Sequence, residues 1–161
     1  MQIHLTSPHA RRINHASAVA PVAISVTANH DGFTMFNAIV NAIGLDAGAA
    51  KRSAISAQDE RRIIVEDFLG GKLLIVPTAV AQDDIERLSL ELIKIANESG
   101  IKELLFTHFG FIPSEFPESH IRTILDTLIT QRDCSTLSTL WWEIDPRHKQ
   151  AMELLLAQYF N

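Results

Sequence analysis

The sequence predicts an α/β fold of three layers, a mixed and mostly parallel sheet flanked by helices, built as one domain over residues 1–161. Three observations carry that prediction. From residue 72 onward, apolar runs alternate with helical patterns in the order strand, helix, strand, helix, strand, helix, which is how parallel strands and crossover helices are built. The runs Lys72-Leu-Leu-Ile-Val-Pro77 and Lys102-Glu-Leu-Leu-Phe-Thr107 are short and nearly continuous in apolar residues, as buried strands are. Finally, two strand-like runs pass into polar and glycine residues and then into a helix: Ala23-Ile-Ser-Val-Thr-Ala-Asn-His-Asp-Gly32 and Thr107-His-Phe-Gly-Phe-Ile-Pro113. In open α/β sheets ligands bind beyond such strand ends.

Taken in order, residues 2–6 form a short first strand and residues 8–17 a polar loop or short helix. Residues 18–28, rich in Ala and Val, hold a buried strand. Phe33 to Ile43 form a helix stopped by Gly44. Ser56-Ala-Gln-Asp59, with an acid three residues after a capping serine, predicts a helix start, and that helix runs to Leu69 before Gly70-Gly71. After the strand at 72–77, Asp83 to Ser99 is the clearest helix, with Ile85, Leu88, Leu92 and Ile95 on one face and Gly100 past its end. Pro117 opens a helix whose inner face is Ile121, Ile124, Leu125 and Leu128. Thr139 to Ile144 is the last strand, and its adjacent Trp141 and Trp142 are both expected in core, one on each face. Asp145-Pro146 caps a final helix carrying Met152, Leu155, Leu156 and Tyr159.

Composition limits the function. A net charge of −5 argues against general nucleic-acid or anionic-membrane binding. Lys51-Arg52 and Arg61-Arg62 read as solvated helix faces. With Cys134 as the one cysteine, neither an internal disulfide nor a cysteine zinc site can form. No apolar run reaches about 18 residues, and Met1-Gln-Ile-His-Leu5 lacks the pattern of a signal peptide, so a soluble cytoplasmic protein is expected.

Known chemical signatures are missing. There is no G-x-G-x-x-G, no P-loop and no G-x-S-x-G. The seven histidines are scattered, with no H-E-x-x-H and no i,i+4 pair, so no metal site is expected. His4-Leu5-Thr6 matches half of a two-histidine phosphoesterase signature, and the chain supplies no second half. What remains is two loops. Asn29-His30-Asp31-Gly32 is either a simple turn or a loop whose amides and Asn29 side chain meet a polar ligand before a helix N-terminus that favours anions. His108, directly after a buried strand, is placed to hold a phosphate or take a proton.

These elements resemble the macro domain, a family that binds ADP-ribose and related nucleotides. Lys72 to Pro77, the helix to Gly100, Lys102 to Gly110 and the helix after Phe116-Pro117 look like the last third of that fold; Thr139 to Phe160 resembles its closing strand and helix. Ala23 to Asn29 resembles the strand ending in the family's Asn-Ala-Ala-Asn signature, with only the final Ala-Asn kept and Val26 standing at the first Asn. Phe33 to Gly44 is similar to the helix after the family's glycine-rich loop, here shortened to His30-Asp31-Gly32. Phe36 stands where the family's catalytic aspartate opens that helix, with Asn37 beside it, and the second loop has one glycine, Gly110.

The resemblance implies a divergent macro-type module that binds a nucleotide or ADP-ribose-like ligand without catalysis and without a cofactor. Its site is Asn29, His30, Asp31, Gly32 and Asn37 on one loop and helix, and His108, Phe109, Gly110, Phe111 and Ile112 on the other. Asn29 would bond a ribose, His108 and the amides around Gly110 a phosphate, and Phe109 or Phe111 would pack on sugar or base. Two alternatives stay open. One is a protein-interaction module (immunity, adaptor or assembly component) whose pocket has filled in. The other is a weak ADP-ribosyl hydrolase using His108 or Asp31.

Overall fold

The computed structural model describes residues 1–6, 22–28, 34–68, 71–79, 81–107, 109–110 and 115–160. Strands β1 (Gln2–Thr6), β2 (Val22–Ala28), β3 (Ile64–Phe68), β4 (Gly71–Pro77), β5 (Glu103–Phe106) and β6 (Thr139–Glu143) form one sheet in the order β1-β6-β5-β2-β4-β3. All neighbours are parallel except β3 and β4, which are antiparallel. Helices α1 (Thr34–Ile43), α2 (Ala47–Glu60), α3 (Gln82–Ser99), α4 (Glu118–Thr130) and α5 (Lys149–Phe160) cover it.

Two apolar cores lie on opposite sides of the sheet, as the period of two in β4 requires. Leu74 and Val76 join Ile85, Leu88 and Leu92 of α3, Ile121, Ile124, Leu125 and Leu128 of α4, and Met152 and Leu155 of α5. Leu73 and Ile75 join Val26, Phe36, Ile39 and Val40 with Ala50, Ala54 and Ala57 of α2. The sides follow from handedness. The chain moves from β2 to β4 in one direction along the sheet and from β4 to β5 to β6 in the other. Right-handed crossovers therefore place α1 and α2 on one side and α3 and α4 on the other.

Local signals explain most boundaries. Gly44 and Gly100 end α1 and α3 with φ of 76° and 65°. Asp145 caps the last helical segment by accepting from the Arg147 amide at 2.9 Å; one 3₁₀ turn, Pro146–His148, precedes α5.

Two expectations are corrected. The helix predicted to begin at Ser56 begins at Ala47, because Asp46 is the cap: its carboxylate accepts from the Ala49 amide at 2.8 Å. That helix does not reach Leu69. Arg61 turns into the left-handed region at φ 55°, and the β-branched run Ile63-Ile64-Val65 enters β3. Nor are both tryptophans in core. Trp142 is 2% exposed and packs with the large core, whereas Trp141 is 42% exposed. Trp141 projects on the side of α1 and α2, which pack over β2, β3 and β4, and it stacks on His4 of β1. Lys51 and Arg52 lie exposed on α2 as expected, whereas Arg61 and Arg62 follow its end, Arg61 reaching Asp84 at 2.8 Å.

Candidate functional site

The C-terminal ends of the parallel strands line up along one edge of the sheet. There the chain leaves β2 toward α1 on one side, while its neighbours β4 and β5 leave toward α3 and α4 on the other. Strand ends that diverge in this way open a crevice, the usual ligand position in open α/β sheets. Residues 29–33 join β2 to α1 at this point, and residues 107–117 join β5 to α4. The topology thus brings the two loops singled out in the sequence to adjacent strand ends.

Of the ten expected site residues, Asn29, His30, Asp31, Gly32, His108, Phe111 and Ile112 lie outside the described residues. Asn37 is in the first turn of α1 and exposed, while Phe36 beside it is 3% exposed and part of the smaller core. The first turn of α1 contains no acidic residue, which leaves the positive end of its dipole uncompensated by side chains of that turn.

Phe109 departs from the expected role. Its ring is 0% exposed, stacked on Phe106 at 4.9 Å, and Phe106 meets Trp142 edge-on at 4.6 Å. A ring so enclosed holds the loop to the core and cannot also lie open against a sugar or base. Gly110 has φ +80°, and its carbonyl accepts from the Ala79 amide at 3.0 Å. A Cβ at this position would stand 2.9 Å from Ala79 Cβ and 3.0 Å from Ile85 Cδ1. Glycine is needed here to let the second loop settle on the connection between β4 and α3.

Polar groups that the sequence reading passed over stand at the same edge. The Gln58 side-chain amide spans from α2 to the end of β4: its Oε1 accepts from the Thr78 amide at 2.9 Å and its Nε2 donates to Thr78 Oγ1 at 3.0 Å. Thr107, after β5, is 3% exposed, and Glu143, aligned with Thr6 in the register of β1 and β6, is 2% exposed. Gln58 was legible as the residue one turn after Ala54 on an alanine-lined helix face. Glu143 was legible as the acid that closes an apolar strand. Beyond β6, Asp145 is held down to about 2 by bonds from the Arg147 side chain and amide. It is therefore an ionised cap at neutral pH and no proton donor.

No family model matches this sequence, and no curated protein matches it. Solved structures do. A mutant of the Oceanobacillus iheyensis macrodomain is 10% identical, with a TM-score of 0.61 over 84% of this chain and 86% of that one. The macrodomain of Thermus aquaticus DarG is 13% identical, with a TM-score of 0.56 over 90% and 99%. The alphavirus P23pro-zbd is 14% identical, with a TM-score of 0.63 over 99% of this chain; the chain spans only 24% of that structure. The fold is therefore macrodomain-like. Among the described residues no helix is long and apolar enough to cross a membrane.

Proposed function

We propose that this chain is a divergent macro-type module that binds a nucleotide or ADP-ribose-like ligand without catalysing a reaction on it. One observation carries the reading: in a macrodomain-like fold, the two loops of the expected site leave adjacent strands toward opposite sides of the sheet. A ligand held in that crevice would meet Asn29, His30, Asp31 and Gly32 on the β2 side. On the β5 side it would meet His108, Phe111, Ile112 and the backbone around Gly110. The N-terminus of α1, free of acids in its first turn, supports an anionic ligand. Phe36, buried where the resemblance puts a catalytic aspartate, supports binding without turnover.

Titration calorimetry with ADP-ribose tests this directly. Saturable heat that is lost in Asn29→Ala is the expected result; no heat at millimolar ligand sinks the reading. Turnover of an ADP-ribosylated protein or nucleic acid would instead establish a hydrolase acting through His108 or Asp31.

A second reading is favoured by the interior of the β5 loop. Phe109 lies in the core and Gly110 is pressed onto Ala79 and Ile85, which suits a pocket that has filled in and a fold that works through its surface as a protein-interaction module. Silence in calorimetry, together with a stable complex recovered at the strand-end face, would favour it.

A further inference from the structure

The two edges of the sheet are treated differently by the sequence. Edge strands expose unpaired backbone groups, and proteins usually blunt them with charge. Strand β3 carries Glu66 and Asp67, and Lys72 of β4 reaches Asp67. Strand β1 reads Gln2-Ile3-His4-Leu5-Thr6, without a charged residue. Its hydrogen-bonding parity is fixed by two bonds to the β6 region: the Gln2 amide donates to Ser138 at 2.8 Å, and Thr6 accepts from the Ile144 amide at 3.0 Å. The backbone groups of Gln2, His4 and Thr6 therefore face β6, and Ile3 and Leu5 turn their N–H and C=O groups to the other side of β1, where no described strand pairs with it. Beside that edge runs a groove of ≈ 490 Å³. The stacked rings of His4 and Trp141 wall it on one side, and Lys149, Glu153 and Leu156 of α5 wall it on the other.

We infer that this edge binds a second copy of the same chain across a twofold axis through His4, joining two sheets into one. The pattern is self-complementary. With residue 4 opposite itself in an antiparallel pair, Ile3 of each chain faces the partner subunit's Leu5. Those are the residues whose backbone groups point outward, so each pair exchanges two hydrogen bonds. Charge repeats the symmetry. Lys149 and Glu153, one helical turn apart on α5 and 3.8 Å from one another, line the same groove. A twofold axis there sets Lys149 against the partner subunit's Glu153 and Glu153 against the partner subunit's Lys149. The inference concerns the β1 edge and is independent of the strand-end crevice.

Sedimentation velocity of the full chain over a range of concentrations tests it. A reversible dimer is expected. Lys149→Glu and Glu153→Lys, both on exposed side chains, should each shift the equilibrium toward monomer. The double exchange K149E/E153K should restore the dimer, because the symmetric pairing is regained with its signs reversed. As a second measurement, His4→Cys in a Cys134→Ser background should give a dimer linked through residue 4 on mild oxidation. A monomer at every concentration, or a dimer indifferent to the charge exchanges and without a residue-4 crosslink, overturns the inference.

Discussion

The two sides of the sheet solve the same packing problem with different side chains. On the side of α3, α4 and α5, the gap is filled by leucine, isoleucine and aromatic rings, ending in the Phe106, Phe109 and Trp142 cluster. On the side of α1 and α2, the face of α2 is Ala50, Ala54 and Ala57, so little separates the helix from Leu73 and Ile75. Long side chains tolerate loss poorly because a cavity remains; small ones tolerate gain poorly because no space remains. The loops inherit this difference. The loop after β5 is anchored by a buried ring and a tightly seated glycine, whereas the first turn of α1 offers an exposed Asn37.

The largest effect is expected from emptying the large side. Phe109→Ala should cost about 3–5 kcal/mol, the range for a fully buried phenylalanine. Urea unfolding reads it as a lower midpoint. A loss below about 1 kcal/mol would mean that Phe109 does not anchor the loop, and would reopen its use as a ligand platform. Next comes Gly110→Ala. The left-handed backbone alone costs a non-glycine residue about 1–3 kcal/mol, and the new Cβ adds a contact of 2.9 Å with Ala79. The variant should be destabilised even with no ligand present, which separates a packing role from a phosphate-binding one.

On the small side the change must run the other way. Ala54→Leu forces three more carbons between α2 and the sheet, and overpacking of this kind costs about 1–3 kcal/mol. The same substitution at exposed Ala151 on α5 should leave the unfolding midpoint nearly unchanged. If Ala54→Leu were neutral, the two sides would not differ in tightness and the contrast drawn above would fail.

Most of this architecture was legible in the sequence, and the failures have physical causes. Ile85, Leu88 and Leu92 of α3, the inner face of α4 and the glycine stops all emerged because periodicity and caps agree there. β3 was missed because a serine with an acid three residues on mimics a helix start in mid-helix, and the real cap, Asp46, precedes a run of glycine and alanine with little hydrophobic rhythm. The expectation of Trp141 in core follows from helices covering both faces everywhere; the described helices on its side pack over β2, β3 and β4. At the site, the loops were found from strand-end chemistry. Gln58, Thr107 and Glu143 were not: Gln58 one turn after Ala54 and Glu143 at the end of an apolar strand stand out locally, but it is tertiary contact that brings an α2 amide and two buried polar groups to that edge.

The smallest effect concerns how the large side's last helix is started. Asp145 accepts from the Arg147 guanidinium at 2.9 Å and from its amide at 2.9 Å, and these bonds hold the carboxyl near 2 against an ordinary value of 3.8. A depressed folded-state pKa contributes stability that is fully present above the unfolded value and disappears as pH falls through the folded one. Arg147 stays charged throughout, so the window belongs to Asp145 alone. Asp145→Asn keeps an oxygen that can cap the Arg147 amide and removes only the charge. Wild type should therefore be slightly more stable than the variant above about pH 4, with the gap closing between about pH 4 and pH 2. Paired urea titrations across that range measure it. A gap that persists unchanged to pH 2 would show that the Asp145 cap works through its geometry and not through its charge.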